Sequence, residues 1–258
     1  MSLKLQVKNF ISRLSGYWIL DKRHLPVGTD LYEDLRYKIE CIPKVVFDVG
    51  ANIGQTAIEV HKQFPAAHIY SFEPVNGTFK ELQNNTKSYP QVHCIHSALG
   101  NTTCKKEIKL FSAPMSYLNS LRETAMNTEQ EATVEMIEVI TLDEFAGKNR
   151  ISRIDLLKID SEGYELQILE GAKKMMADRK ISMILCETGF SPDNKRNTYF
   201  PELLDLLIRQ DYIFFGLYEM GYYKRISKDI QGGSQYGNAL FILPEILDTF
   251  KDAFEESM

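Results

Sequence analysis

Ten consecutive residues constrain this chain more than any others: Val45-Val46-Phe47-Asp48-Val49-Gly50-Ala51-Asn52-Ile53-Gly54. A short apolar, β-branched run passes into a turn that holds two glycines. A helix-compatible stretch, 55–63, follows at once. The pattern reads as a buried strand, a tight turn and a helix in succession. Glycine tolerates positive φ and carries no Cβ, so such a turn can bend sharply and let a ligand approach the backbone.

The same alternation runs on through the chain. Strands are expected at 44–49, 68–72, 92–95, 154–159, 181–186, 212–217 and 239–243. Helices are expected at 55–63, 78–87, 142–145, 164–177 and 201–209, with a closing helix reaching 254. Segments 105–111 and 133–141 alternate in character and read as an inserted β-hairpin around the polar stretch 112–132. Strands separated by helices predict an α/β fold of three layers, a mostly parallel sheet between helices, with right-handed crossovers. Ligands of such sheets bind outside the carboxyl ends of the strands, near the point where strand order reverses.

Residues 1–42 differ from the rest and read as an N-terminal helical extension to a main domain at 43–258. Leu3, Val7, Phe10, Ile11 and Leu14 recur at helical spacing with Lys4, Lys8 and Arg13 between them. The first expectation is an arm packed on the main domain. The second is a basic amphipathic segment lying on an anionic membrane or glycolipid surface. No apolar run approaches the roughly 18–20 residues that span a bilayer, and no secretory signal pattern opens the chain. These features predict a cytoplasmic protein, with a peripheral membrane contact as the variant reading. The sequence does not specify an oligomeric state.

Net charge narrows the partners. Lys and Arg number 30 against 35 Asp and Glu, a net charge of −5. No basic face for nucleic acid is expected from this balance. The cysteines, Cys41, Cys94, Cys104 and Cys186, form no CxxC pair. They read as buried free thiols rather than a zinc site or disulfide framework.

The residues just after the strands carry the chemistry. A dinucleotide site would show G-x-G-x-x-G for its pyrophosphate. This turn has only Gly50 and Gly54, around Asn52, and Asp48 at the strand end. A carboxylate there opposes a pyrophosphate and suits a ligand with an ammonium and a sulfonium, as in S-adenosylmethionine. Twenty-five residues on, Glu73 ends the second strand before Pro74 and can accept both hydroxyls of a ribose. Asp160 ends the fourth main strand, where a reacting hydroxyl could give up its proton. Glu162, two residues later, is the second catalytic candidate, and Glu165 reads as a helix first-turn acid. Glu187 follows the fifth strand and could share a Mg²⁺ with Asp160, a reading that is not favoured because no Asp-Asn pair follows that strand. His96 is a lesser candidate base.

Taken together, Phe47–Gly54, Phe72-Glu73-Pro74, Thr141-Leu142-Asp143-Glu144-Phe145, Leu157-Lys158-Ile159-Asp160-Ser161-Glu162-Gly163-Tyr164-Glu165 and Leu169-Glu170-Gly171-Ala172 resemble the FkbM-type methyltransferases. The likeness covers roughly residues 44–245. It implies a Rossmann-like class I methyltransferase sheet of about seven strands with the last one antiparallel. It also implies S-adenosylmethionine as cofactor. Asp48, Gly50 and Gly54 would flank the methionine moiety, Glu73 would hold the ribose, and Ser97 and Ala98 would lie near the adenine. Such enzymes mostly methylate hydroxyls of sugars, glycans or natural products. On the acceptor side the expected residues are Ser120, Glu187, Tyr218 and Tyr222. Alternatives are a non-catalytic nucleotide-binding module of the same fold and an NAD-dependent oxidoreductase.

Overall fold

The computed structural model describes residues 3–16, 20–110, 133–192, 196–222 and 234–248. Strands β1 (Val45–Val49), β2 (His68–Phe72) and β3 (Val92–Ile95) alternate with helices α3 (Gln55–Gln63) and α4 (Asn76–Thr86). Strands β7 (Ile154–Ile159), β8 (Ile181–Gly189), β9 (Ile213–Tyr222) and β10 (Ser234–Ile242) complete one seven-stranded sheet in the order β3-β2-β1-β7-β8-β10-β9. β10 runs antiparallel to both β8 and β9, while the pairs β3–β2, β2–β1, β1–β7 and β7–β8 are parallel. This is the expected α/β sheet with its last strand reversed. Strand order turns between β1 and β7, which places the ligand crevice at their carboxyl ends.

Side-chain alternation along each strand feeds two cores. Phe47, Val49, Leu157, Ile159, Ile184 and Phe241 point to one face with Leu142, Phe145, Ile168 and Leu207. Val46, Leu156, Met183, Leu185 and Leu240 point to the other with Leu35, Ile39, Ala57, Val60 and Phe64. β8 is buried along its whole length, as a strand covered on both faces must be.

A second, small sheet joins β4 (Ala98–Leu99), β5 (Cys104–Leu110) and β6 (Thr133–Ile140) in the order β4-β6-β5. β5 and β6 form the expected antiparallel hairpin.

The helix expected at 164–177 is two helices, α6 (Glu165–Glu170) and α7 (Lys173–Ala177). The break falls at Gly171, where a Cβ would sit 2.0 Å from the carbonyl oxygen of Gly100. The Asp143 carboxylate, from α5 (Leu142–Lys148), then accepts the Lys174 and Met175 amides, both at 2.9 Å, and caps α7. The Leu-Asp-Glu-Phe motif is therefore partly a helix-capping device. Strands β9 and β10 also extend further than periodicity suggests, and helix α9 is described over Pro244–Asp248. Helix α8 (Phe200–Ile208) lies where expected.

The N-terminal residues divide. α1 (Leu3–Ser15) leaves Val7, Phe10, Ile11 and Leu14 at 44–73% exposure, so these side chains do not pack on the main domain as first expected. α2 (Leu31–Tyr37) does. Leu35 and Ile39 are buried in the second core. Arg36 donates to the Gln63 carbonyl at 3.0 Å and lies 5.0 Å from the Phe64 ring centroid. Among the described residues no helix is long and apolar enough to cross a membrane. All four cysteines are free, but only Cys186 is buried, and Cys104 is exposed.

Asp34 is 1% exposed and accepts the Gly28 amide and the Tyr218 hydroxyl, both at 2.8 Å. Replacing Tyr218 by Phe removes one partner of a buried carboxylate. The expected loss is about 1–3 kcal/mol in urea unfolding at unchanged m-value; an unchanged midpoint contradicts the role.

Candidate active site

A cavity of about 520 Å³ opens at the carboxyl ends of β1, β2 and β7. Its first wall is the β1–α3 turn. The Gly50 and Ala51 amides donate to the Phe72 carbonyl at 3.1 and 2.9 Å, and the Asp160 amide donates to the Val49 carbonyl at 3.0 Å. Gly50 has φ +78°, and a Cβ there would lie 1.9 Å from the Asp160 carbonyl oxygen. Only glycine fits that position. Gly54, at φ +94°, caps α3. Gly50 and Asn52 line the cavity, and Gly54 shapes the turn from behind.

Glu73 forms the second wall. Its carboxylate accepts the Asn52 amide at 3.1 Å and the Val75 amide at 2.9 Å. Burial pushes its pKa up to about 7, against the lowering effect of those two amides. Ala98 lines the cavity, and Ser97 lies buried beside it, its hydroxyl without a hydrogen-bond partner among the described residues. His96 stacks on Phe79 at 4.4 Å, a packing role.

The third wall is the loop after β7. Asp160, Glu162 and Tyr164 line it, with Arg196 opposite. Glu165, fully buried, accepts the Ser161 and Gly163 amides and the Ser161 hydroxyl, each at 3.1 Å, and the Thr198 hydroxyl at 2.5 Å. It organises the loop. Glu162, at φ +53°, is held by the Arg196 guanidinium. Glu187 accepts the Asn197 side-chain amide, and burial, then the charges of Asp160 and Glu162, raise its pKa to about 8.

Asp48 is placed differently from the expectation that it meets the ligand. It is fully buried, and it is not among the cavity-lining residues. Strand register sets it beside Lys158 on β7, on the face that also carries Val46 and Leu156. The Lys158 ammonium stands 3.8 Å from the Asp48 carboxylate and 3.1 Å from that of Asp160. Neither Asp48 oxygen has a hydrogen-bond partner among the described residues. Burial pushes the Asp48 carboxyl up, opposed by Lys158. Burial alone would favour neutral Lys158, but the carboxylates of Asp160 and Asp48 outweigh it and raise its pKa. Lys158 therefore stays charged.

Lys158 stands in a sequence motif that assigns it no role, and no motif marks Arg196 or Asn197. A lysine inside an apolar strand, two residues before an acid, was the available signal for Lys158. Arg196 and Asn197 gave none, because their meeting with Glu162 and Glu187 depends on tertiary packing. Tyr218, expected on an acceptor loop, lies within β9 and bonds to Asp34. Tyr222 ends β9, and Ser120 lies outside the described residues. Among the described residues no group of three or more His, Cys, Asp or Glu is arranged to hold a metal.

Residues 48–214 match the family model described as the methyltransferase FkbM domain. The hexuronic acid methyltransferase AglP of Haloferax volcanii is 26% identical over 148 residues, 57% of this chain and 58% of that protein. The 31-O-demethyl-FK506 methyltransferase FkbM of Streptomyces tacrolimicus is 27% identical over 165 residues, 54% of this chain and 64% of that protein. The matches thus span about three fifths of these curated relatives. A precorrin-6y C5,15-methyltransferase structure from Geobacter metallireducens overlays with a TM-score of 0.42 at 12% identity, over 77% of this chain and 79% of that one.

Lys158→Met strands the buried Asp48 carboxylate. The expected cost is about 3–5 kcal/mol. Because Asp48 would then have a pKa raised further in the folded state, the deficit grows as pH rises and shrinks as acid protonates it. Urea unfolding at pH 5 and pH 8 checks this, and adding Asp48→Asn should restore much of the loss.

Proposed function

The chain belongs to the FkbM methyltransferase domain family, and from that premise we propose that it is an S-adenosylmethionine-dependent O-methyltransferase acting on a hydroxyl of a sugar, glycan or glycoconjugate, or of a related natural product. The observation that carries the reading is the pairing of Glu73 and Asp160 across one cavity at the carboxyl ends of β1, β2 and β7. The names of two relatives agree in kind: one is named for a hexuronic acid, the other for a 31-O-demethyl acceptor.

Two features of the cavity support the cofactor reading: Gly50 lets the β1–α3 turn close against the Asp160 backbone and leave its amide edge at the cavity, and Glu73 presents a carboxylate suited to a diol. Gly50 and Asn52 would border the methionine portion, Glu73 the ribose hydroxyls, and Ala98 with Ser97 behind it the adenine. S-adenosylmethionine supplies an electrophilic methyl carbon. When bound, it would give that methyl to the acceptor oxygen, with S-adenosylhomocysteine as the leaving group and Asp160 positioned to take the hydroxyl proton.

Asp160 is the proposed general base. It takes the hydroxyl proton as the new bond forms. Lys158 holds the Asp160 carboxylate in place from within the sheet. Glu162, fixed by Arg196, lines the cavity beside Asp160 and orients the acceptor rather than taking the proton. Burial, then the charges of Asp160 and Glu162, raise the Glu187 pKa, and its carboxylate is engaged by the Asn197 side chain rather than lining the cavity. Position supplies most of the rate in such an in-line displacement. The acceptor is a small molecule or glycan in this reading.

Calorimetry with S-adenosylhomocysteine and with NADH tests the cofactor: one-site micromolar binding of the former and none of the latter is expected. Asp160→Ala should abolish turnover and leave S-adenosylhomocysteine affinity within a few-fold; full activity in that variant removes Asp160 as base. The ionised form of Glu73 accepts the ribose hydroxyls, so binding should strengthen with rising pH through about 7. Between pH 6 and pH 8 the gain should be about tenfold. Glu73→Gln should bind more weakly and show a flat profile.

A further inference from the structure

Helix α1 (Leu3–Ser15) divides by helical spacing into two unlike faces. At about 100° per residue, Leu3, Val7, Phe10, Ile11 and Leu14 fall within one arc of roughly 100°. Lys4 and Lys8 follow one border of that arc, and Arg13 lies beyond the other. The opposite side carries Asn9 and Ser12, with Leu5 between them. Thirteen residues make a rod about 20 Å long, too short to cross a bilayer and long enough to lie along one.

We infer that α1 docks this protein on a bilayer surface rich in anionic lipid. The helix lies in the plane of the interface, with Phe10 and Leu14 towards the acyl chains and its cations among the headgroups. The inference stands apart from the transferase reading and does not depend on it. Two observations support it.

The first is exposure. Val7 is 49% exposed, Phe10 64%, Ile11 44% and Leu14 73%. Spacing alone leaves two surfaces open to such a stripe, the main domain or a lipid interface. Helix α2 takes the first, burying Leu35 and Ile39 in the second core, and the α1 stripe does not. A helix this short is marginal in water by itself, and burial of its apolar face against a partner is what stabilises it. A lipid interface buries such a face without needing a matching groove.

The second is charge. α1 holds three cations and no acid, in a chain whose net charge is −5. The cations border the stripe on both sides. A second copy laid against the stripe, parallel or antiparallel, therefore sets cation against cation. A layer of anionic headgroups receives all three at once, while the apolar layer beneath it receives the stripe.

Co-sedimentation of the full chain with vesicles tests this. Vesicles of phosphatidylcholine and phosphatidylglycerol at about three to one are set against phosphatidylcholine alone, in about 0.1 M salt. Saturable binding to the anionic vesicles is expected, with binding to the neutral ones at least about tenfold weaker. Salt of about 0.5 M should remove most of that margin. Lys4→Gln/Lys8→Gln/Arg13→Gln should lower anionic-vesicle binding to the level seen on neutral vesicles. Phe10→Ser/Leu14→Ser should weaken it by more than about tenfold. Both side chains are exposed, so the second variant should keep the urea midpoint of the parent chain. Should the midpoint move, Phe10→Ser alone should still weaken binding. No saturable binding to anionic vesicles, equal binding to both vesicles, or unchanged binding after either set of substitutions overturns the inference. So does a concentration-dependent dimer, seen by light scattering, that Phe10→Ser/Leu14→Ser abolishes, because the stripe then belongs to a second copy.

Discussion

The site is organised around one buried cation. Lys158 lies in the middle strand of a parallel sheet, a place where a lone ammonium would be costly by several kcal/mol. It is tolerated because β1 and β7 pair in a register that puts Asp48 beside it, and because the chain turns at Asp160 so that a second carboxylate reaches it. The same turn brings the Asp160 carbonyl against Gly50, where any side chain would collide. Charge, register and backbone packing thus depend on one another. Shift β1 by one residue and Asp48 would point to the opposite core, among Leu157 and Ile159 and away from Lys158.

This explains why the acids near the cavity have different work to do. Glu165 is consumed by loop amides, Glu162 by Arg196, and Asp48 by Lys158. Glu73 keeps two backbone donors but faces the cavity. Asp160 combines a cavity position with an ammonium that fixes the orientation of its carboxylate. Asp160, Glu162 and Glu165, within five residues of one another in sequence, would look equivalent; their partners distinguish them.

Most of the fold was legible in the sequence because its strands are short apolar runs bounded by turn residues, and because helices between them keep a different period. The β1–α3 turn was legible for the same reason, since Gly50 and Gly54 have a local cause. Three features were not. The break at Gly171 arises from a contact with Gly100, far away in the chain. The burial of Asp48 depends on which residue of β7 lies opposite. The placing of Tyr218 within a strand, bonded to Asp34, reflects packing of α2 that no periodicity in β9 could reveal. The exposed stripe of α1 is a fourth case: helical spacing predicted the helix, but spacing does not say what covers it.

The hydrogen bond between Tyr218 and Asp34 joins residues 184 positions apart. Two contacts of the β1–α3 turn, by contrast, close over 22 residues or fewer, from Gly50 to Phe72 and from Asn52 to Glu73. Loop closure becomes costlier with chain length, and long-range pairings form only once the intervening chain is ordered. The wall of the cavity that carries Gly50 and Glu73 can therefore form as soon as β1 and β2 pair, whereas its facing wall has to wait until Asp160 reaches Gly50 and Arg196 reaches Glu162. The Tyr218–Asp34 bond waits on β9 and on the early segment at 28–41 returning to meet it.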